Sequence, residues 1–338
     1  MTDLLSPRDA RNGSLLVAAA LGQEMARDER VLLFGEDVAA MGGVFGTSRR
    51  LATAFGPDRV FDTPISETAF VGMAIGAAQA GLRPVVEVMF ADFIGVCFDQ
   101  IANQMAKNHY MSGGVVRVPL VLRTAGGCIG SAAQHSQLLT ATLAHIPGLR
   151  VLAPGTPGGL QALTVAAVRS DDPVVLIEHK RLLKTRCSAL PYNDVAPLGE
   201  TIEPASLGSA HRVRGGTDVM LISYGWLVQE CVLAADDLAA RGLDVGVLDL
   251  RSLSPLDRET IVESAAAATR VLVVDEDYLA YGATAEVMAV IAEELGRDAP
   301  LMKRLAPTVS MPASRVLEAE VLIDAEKIVA AALALMKV

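Results

Sequence analysis

The chain has 338 residues, of which 51% are hydrophobic, 20% charged and only 4% aromatic. That composition excludes a disordered chain and gives room for two compact domains, while a formal charge of −10 and a pI near 5.1 argue against nucleic acid as a partner. Mean hydropathy is high at +0.39, yet no unbroken apolar run nears the ~20 residues a spanning helix needs. The excess apolarity therefore points to a large subunit interface and not to a membrane.

The first residues, MTDLLSPRDARNGS, have no basic start followed by an apolar stretch, so a cytoplasmic location is the expectation. Strand-like runs then recur at Val31–Phe34, Val85–Phe90, Val118–Arg123, Arg150–Leu152 and Val174–Ile177, with a second set at Val219–Tyr224, Val245–Leu250 and Val271–Val274. Most are continuous apolar runs, as expected of parallel strands covered on both faces. Helix-length segments lie between most of them, so the fold class is α/β with doubly wound domains. The proline-containing stretch Arg181–Thr217 breaks the alternation and joins the two sets. The boundaries expected are a first domain at 1–190, a linker at 191–216 and a second domain at 217–338. In that second domain, Leu227–Arg241 reads as an amphipathic helix stopped by Gly242.

Chemistry concentrates in Asp62-Thr-Pro-Ile-Ser-Glu-Thr-Ala-Phe-Val-Gly-Met-Ala-Ile-Gly-Ala. Ser66 suits an N-cap, which sets Glu67 in the first helical turn where the helix dipole favours a carboxylate. Gly72, Gly76 and Ala80 follow at four-residue spacing and lay a smooth stripe along one face, suited to close helix packing. By spacing alone, Glu67 could do no more than stabilise a helix start. The four cysteines, Cys97, Cys128, Cys187 and Cys231, form no C-x-x-C pair and read as reduced structural thiols without a metal site.

Glu67, Gly72, Met73, Gly76 and Ala77 together resemble the pyrimidine-binding motif of thiamine-diphosphate enzymes. The surrounding segments sharpen the likeness: Phe34-Gly-Glu-Asp-Val, Gly42-Gly-Val-Phe, Asp99-Gln-Ile, Tyr110-Met-Ser-Gly-Gly, His135-Ser-Gln, His145-Ile-Pro-Gly-Leu and Asp249-Leu-Arg-Ser-Leu-Ser-Pro-Leu-Asp. In that order they are similar to the β subunit of the decarboxylating component of 2-oxo acid dehydrogenases, from about Leu15 to the C-terminus. The resemblance implies a pyrimidine-binding domain followed by a transketolase-C-like domain. It also implies a role for Glu67: bonding a ring nitrogen of the cofactor's aminopyrimidine, so that the imino group can deprotonate the thiazolium carbon to the ylide. A carboxyl drawn out of water holds its proton more tightly, which suits sharing one with a weak base.

By the same resemblance Phe93 packs against the aminopyrimidine, with Phe90 the second candidate. His135 is implied to contact substrate and assist transfer to lipoamide, a task that suits an imidazole. Taken alone, Phe93 reads as core filler and His135 as a surface histidine; His109 and His145 stay structural. Ser136 lacks a G-x-S-x-G elbow, and Gly42–Gly46 lacks the spacing of a phosphate loop and reads as an interface loop. The resemblance leaves open a structural potassium ion held by carbonyls near Leu120 and Ala167–Asp172, a segment that departs here from the family wording.

The chain has no Gly-Asp-Gly and no Asn-Asn, so ligands for Mg²⁺ and the diphosphate are expected from an α subunit, in an α₂β₂ heterotetramer. The C-terminal domain is expected to serve subunit contact and docking to a lipoyl acyltransferase core. The wording Phe90-Ala-Asp-Phe-Ile-Gly-Val-Cys-Phe-Asp-Gln-Ile and Glu178-His-Lys leans toward acetoin over pyruvate or branched-chain 2-oxo acids, although Lys180–Leu198 departs from the acetoin pattern. Two readings of other classes are a non-catalytic scaffold, disfavoured by Glu67 and His135, and a nucleotide-binding dehydrogenase, disfavoured by the missing dinucleotide fingerprint.

Overall fold

The computed structural model describes residues 12–197 and 200–337. Two sheets carry the chain. The first has seven strands in the order β10-β5-β6-β4-β3-β1-β2 and the second five in the order β12-β11-β8-β9-β7. The first contains β1 (Val31–Gly35), β2 (Val60–Asp62), β3 (Arg83–Val88), β4 (Val121–Gly126), β5 (Arg150–Leu152), β6 (Val174–His179) and β10 (Ser252–Ser254). The second contains β7 (His211–Arg214), β8 (Val219–Ser223), β9 (Val245–Asp249), β11 (Arg270–Val274) and β12 (Leu301–Leu305). All pairings are parallel except those of the edge strands β10 and β7.

Continuous apolar runs are required because neighbouring residues of one strand feed two different cores. Val31, Leu33, Val85, Val121, Val174 and Leu176 pack on one side of the first sheet with Val17, Leu21, Leu160 and Leu163 of the Gly13–Arg27 and Pro157–Arg169 helices. Val86, Val88, Leu122, Val175 and Ile177 face the other side, with Phe70, Val71, Ala74 and Ile75 of the Glu67–Gln79 helix. That second core runs on without a break into Met220, Ile222, Leu248, Val271 and Val273 of the second sheet. A third core closes the far side of that sheet, under the Leu227–Ala240 and Ala325–Met336 helices.

All eight strands read from the sequence are present, two of them shifted. Val118–Arg123 begins at Val121 instead, because Pro119 has no N–H to give a ladder. Val85–Phe90 begins earlier, at Arg83, and ends at Val88. Four further strands are short or lie at sheet edges, and β10 is the most consequential. It follows β9 of the second sheet yet pairs with β5, adding an edge strand to the first sheet. The Arg181–Thr217 segment carries β7 near its end. The Leu227–Ala240 helix stops as expected, with Gly242 at φ 90° taking the left-handed turn.

Gly155 stitches the two units where they touch. Its N–H donates to Asp249 at 3.1 Å and its carbonyl accepts from Gln229 Nε2 at 2.9 Å. A Cβ at this position would sit 2.4 Å from Val228 Cγ2 and 2.8 Å from the Gly225 carbonyl.

A buried ionic triad crosses the middle of the first sheet. Arg123 on β4 bonds Glu178 on β6 in bidentate fashion at 2.8 and 2.7 Å, and reaches Glu87 on β3 at 2.8 Å. The three side chains are 1 to 5% exposed. Burial drives the Arg123 guanidinium toward losing its proton, but the two carboxylates outweigh it and hold the proton more firmly than usual. Removing one member of such a group typically costs about 3–5 kcal/mol, because the remaining charges stay buried unpaired. Arg123→Met is therefore expected to lose about that much in urea unfolding at neutral pH. It should lose less near pH 5, where the abandoned carboxyls can take up protons. An equal loss at both pH values would count against the triad as the cause.

Candidate functional site

Glu67 opens the Glu67–Gln79 helix as expected, with Ser66 at the N-cap. The Ser66 hydroxyl does not cap; it turns back to the Pro64 carbonyl at 3.2 Å. Glu67 as a residue is 9% exposed, and among the described residues no donor is hydrogen-bonded to its carboxylate. Glu36, from the turn after β1, stands near it. Burial and then the charges of Glu67 and Asp37 push the Glu36 carboxyl upward, and its Oε1 is buried without a partner. The Cys97 thiol lies on the same side and is pushed up to about 12, by burial first and by Glu67 second.

The turn Ala91–Cys97 lies between the Glu67 helix and the Ala133–His135 turn and touches both. Three of the sequence-derived residues meet on it. The ring centroids of Phe90 and Phe93 are 5.7 Å apart, and those of Phe90 and Phe93 lie 5.1 and 5.7 Å from that of His135. Phe45, in the glycine loop, adds a fourth ring 5.7 Å from Phe90. His135 is half-buried, yet its Nδ1 is sequestered with no partner. Buried polar atoms without partners are rare in a folded chain; Glu36 Oε1 and His135 Nδ1 are two of them.

The stripe on the Glu67 helix faces outward. Nothing lies within 4 Å of where a Cβ of Gly76 would be, and one at Gly72 would meet only Gln100 at 3.8 Å. Met73, Ile65, Val96 and Phe98 stand exposed around it. Among the described residues no group of three or more His, Cys, Asp or Glu is arranged to hold a metal ion. His109 and His145 do not join the aromatic cluster: His109 bonds the Val116 carbonyl through Nδ1 at 2.9 Å.

The family models for the transketolase pyrimidine-binding domain and the transketolase C-terminal domain match residues 11–186 and 208–328. Over 336 residues the chain is 40% identical to the acetoin:2,6-dichlorophenolindophenol oxidoreductase subunit beta of Cupriavidus necator, with 96% of each chain covered. The chain belongs to the β subunits of the thiamine-dependent acetoin and 2-oxo acid dehydrogenases. Within that family it is equally similar to members with other substrates. It is 41% identical over 276 residues to a pyruvate dehydrogenase E1 component subunit beta of Rickettsia conorii, covering 81% and 82% of the two chains. It is 38% identical over 317 residues to the 2-oxoisovalerate dehydrogenase subunit beta of Bacillus subtilis, covering 92% and 94%. A split gene transketolase, an inactive beta4 tetramer, has the same fold at a TM-score of 0.75 and 22% identity, covering 95% and 97%.

Sequence reasoning missed the second layer of this β-subunit site. Loop 127–140 leans on the C-terminal domain. The Glu276 carboxylate accepts from Cys128 N–H at 2.6 Å and from His179 Nε2 at 2.9 Å, and the Cys128 thiol donates to Glu318 at 2.7 Å. His179 Nδ1 accepts from Arg181 N–H at 3.1 Å, which leaves Nε2 as the donor toward Glu276. Gly127, at φ +85°, permits this packing, since a Cβ there would fall 2.0 Å from His179 Nε2. Asp277 accepts from both N–H and hydroxyl of Thr140, each at 3.2 Å, and Tyr224 joins the Thr140 hydroxyl at 2.7 Å to Asp275 at 2.5 Å.

Asp275 is buried, and burial first and Asp277 second push its carboxyl up to about 7. The folded chain thus binds this proton more tightly than the unfolded chain does. Its contribution to stability is complete below about pH 4 and is lost as the pH rises through about 7. Asp275→Asn, which does not titrate, is expected to reduce the fall in Tm between about pH 5 and about pH 8 by a few degrees. Parallel Tm curves for parent and variant would remove Asp275 as the source.

Proposed function

We propose that this β subunit supplies the pyrimidine-binding half of a thiamine-diphosphate site that an α subunit completes, and that it takes part in oxidising acetoin or a 2-oxo acid onto lipoamide. The observation that carries the reading is Glu67: a buried residue at a helix start with no hydrogen-bond donor on its carboxylate among the described residues, on a helix packed against the turn that bears Phe93 and meets His135. A planar heteroaromatic ring with a basic nitrogen would satisfy that carboxylate and stack on an exposed aromatic face. Bound there, thiamine diphosphate supplies a nucleophilic thiazolium carbon. Glu67 holds or shares the proton at the ring nitrogen, Phe93 packs the ring with Phe90 behind it, and His135 offers its imidazole to the reacting group.

Mg²⁺ and the diphosphate fall to the α subunit, since the chain has neither Gly-Asp-Gly nor Asn-Asn, and the described residues contain no group of three or more His, Cys, Asp or Glu suited to a metal. The outward glycine stripe, with Ile65, Met73 and Val96 around it, supports seating of that subunit on the Glu67 helix. A potassium ion does not fit the carbonyls near Ala167–Asp172. Arg83 already donates to Val168 O at 2.9 Å, to Ser170 O and to the Asp171 carboxylate at 3.0 Å, while Leu120 O accepts from Val174 N–H at 2.9 Å. An ion would have to displace a guanidinium that is 8% exposed with its residue.

Acetoin is the preferred substrate within this reading, supported by the Glu178-His-Lys segment and by two acetoin oxidoreductase beta subunits that match over 96% and 99% of the chain, against 81% for the Rickettsia conorii pyruvate dehydrogenase subunit. The chain co-expressed with its α subunit, given the cofactor and Mg²⁺, should reduce dye with acetoin faster than with pyruvate or branched-chain 2-oxo acids. A 2-oxo acid preference would keep the family and overturn the substrate. Glu67→Gln in the same complex is expected to slow proton exchange at the thiazolium carbon by about a hundredfold or more, with Tm unchanged. Exchange near the parental rate would end the role given to Glu67.

A further inference from the structure

We infer that Lys180 is a positioning residue for His135: its buried ammonium fixes the His135 peptide against Phe90 and so determines where the imidazole reaches. This inference rests on His135 serving the reacting group. Lys180 opens the Lys180–Lys184 helix directly after β6, and its side chain is fully buried. A lysine is seldom buried unless it is paired. Its Nζ donates to the His135 carbonyl at 2.6 Å and lies 4.7 Å from the centroid of the Phe90 ring. The carboxylate facing it, Asp92, is 4.0 Å away and is not hydrogen-bonded to it.

A lysine kept for stability alone would be expected to close on that carboxylate, and an apolar side chain would fill the space at lower cost. Asp92 instead serves the same turn. Its Oδ1 accepts from the Gln137 N–H at 3.2 Å and from Gln137 Nε2 at 3.0 Å, leaving Oδ2 without a hydrogen-bond partner. The two charges therefore grip the backbone on either side of Ser136 and only loosely grip each other. His135 has no polar anchor of its own at Nδ1, so its ring takes its direction from this peptide and from the Phe90 and Phe93 rings.

The groups around the ammonium come from four elements. Asp92 lies on the 91–97 turn, Cys128 on the loop after β4, Glu276 in the C-terminal domain and Lys184 on the helix of Lys180 itself. Burial pulls the ammonium down to about 8, while Asp92, Cys128 and Glu276 act in the opposite sense. Lys180 therefore carries charge at neutral pH and loses it just above. The hydrogen bond to His135 then weakens from charge-assisted to neutral, and turnover should fall on the alkaline side.

The test uses the assembled complex with its α subunit, assayed between about pH 6.5 and about pH 9.5. The parent should show an alkaline fall in turnover centred near 8. Lys180→Met should lower turnover about tenfold or more at neutral pH and abolish that alkaline fall. KM and proton exchange at the thiazolium carbon should stay at parental values. Lys180→Gln, a neutral donor, should regain part of the turnover and also lack the alkaline fall; it serves as well where the methionine variant fails to fold. A flat parental profile, an alkaline fall that persists in Lys180→Gln, or parental turnover in either variant would overturn the inference. Parental turnover in His135→Asn would instead overturn the role of His135 on which it rests.

Discussion

Three strands of the first sheet are locked together by one arginine. Arg123 spans β3, β4 and β6 through Glu87 and Glu178, at the carboxyl ends of the strands, where an open α/β sheet presents its ligands. The cost of burying three charges is large, and a set of well-packed apolar side chains would serve stability as well. What the triad adds is direction. Glu87 also accepts from the Thr47 hydroxyl at 3.0 Å and so fixes the glycine loop that brings Phe45 against Phe90. Glu178 is followed at once by His179 and Lys180, which reach in turn to Glu276 and to His135. The aromatic cluster is thus built outward from a rigid ionic centre, and its exposed edge is left with unmatched polar atoms.

That division bears on the proposal that a second chain completes the site. Among the described residues Glu36 Oε1 and His135 Nδ1 are buried without partners, and none donates a hydrogen bond to the Glu67 carboxylate. Leaving a buried polar group unsatisfied costs about 1–3 kcal/mol, which a ligand that bonds it would recover. A ligand bearing a basic ring nitrogen answers the carboxylate. The smooth helix face, without a neighbour of its own, matches a site shared between two chains.

Much of this was legible in the residues. Period and length exposed the eight principal strands, because each is a continuous apolar run serving two cores. Glu67, Phe90, Phe93 and His135 were found through motif wording, and the structure gathers the three rings within 6 Å of one another in every pair. The strands β2 and β10 were hidden because each is three residues long at a sheet edge and carries polar residues (Val-Phe-Asp and Ser-Leu-Ser), and β12 because Leu-Met-Lys-Arg-Leu sits at an edge with its polar residues half in solvent. The partners of Ser66, Arg83 and Lys180 were out of reach for a different reason. Each is a choice among local and distant acceptors, 2, 45 or more than 80 residues away in the chain, which no spacing rule encodes.

The C-terminal domain also fixes the loop that carries His135. Glu276 holds the N–H of Cys128, Glu318 takes the Cys128 thiol, and Asp277 holds Thr140, so both ends of the loop that carries His135 are tied to it. The loop is otherwise short of regular structure, with Ala132 and Leu139 both at positive φ. Backbone held in such conformations persists only when its surroundings over-determine it. Here the surroundings are the carboxylates of the second sheet, together with an edge strand, β10, that the C-terminal half adds to the first. Rotation of one domain against the other would break the strand pairing and the carboxylate contacts together, and the position of His135 would be lost with them. The continuous apolar core between the sheets therefore holds the His135 loop in place as directly as it serves stability.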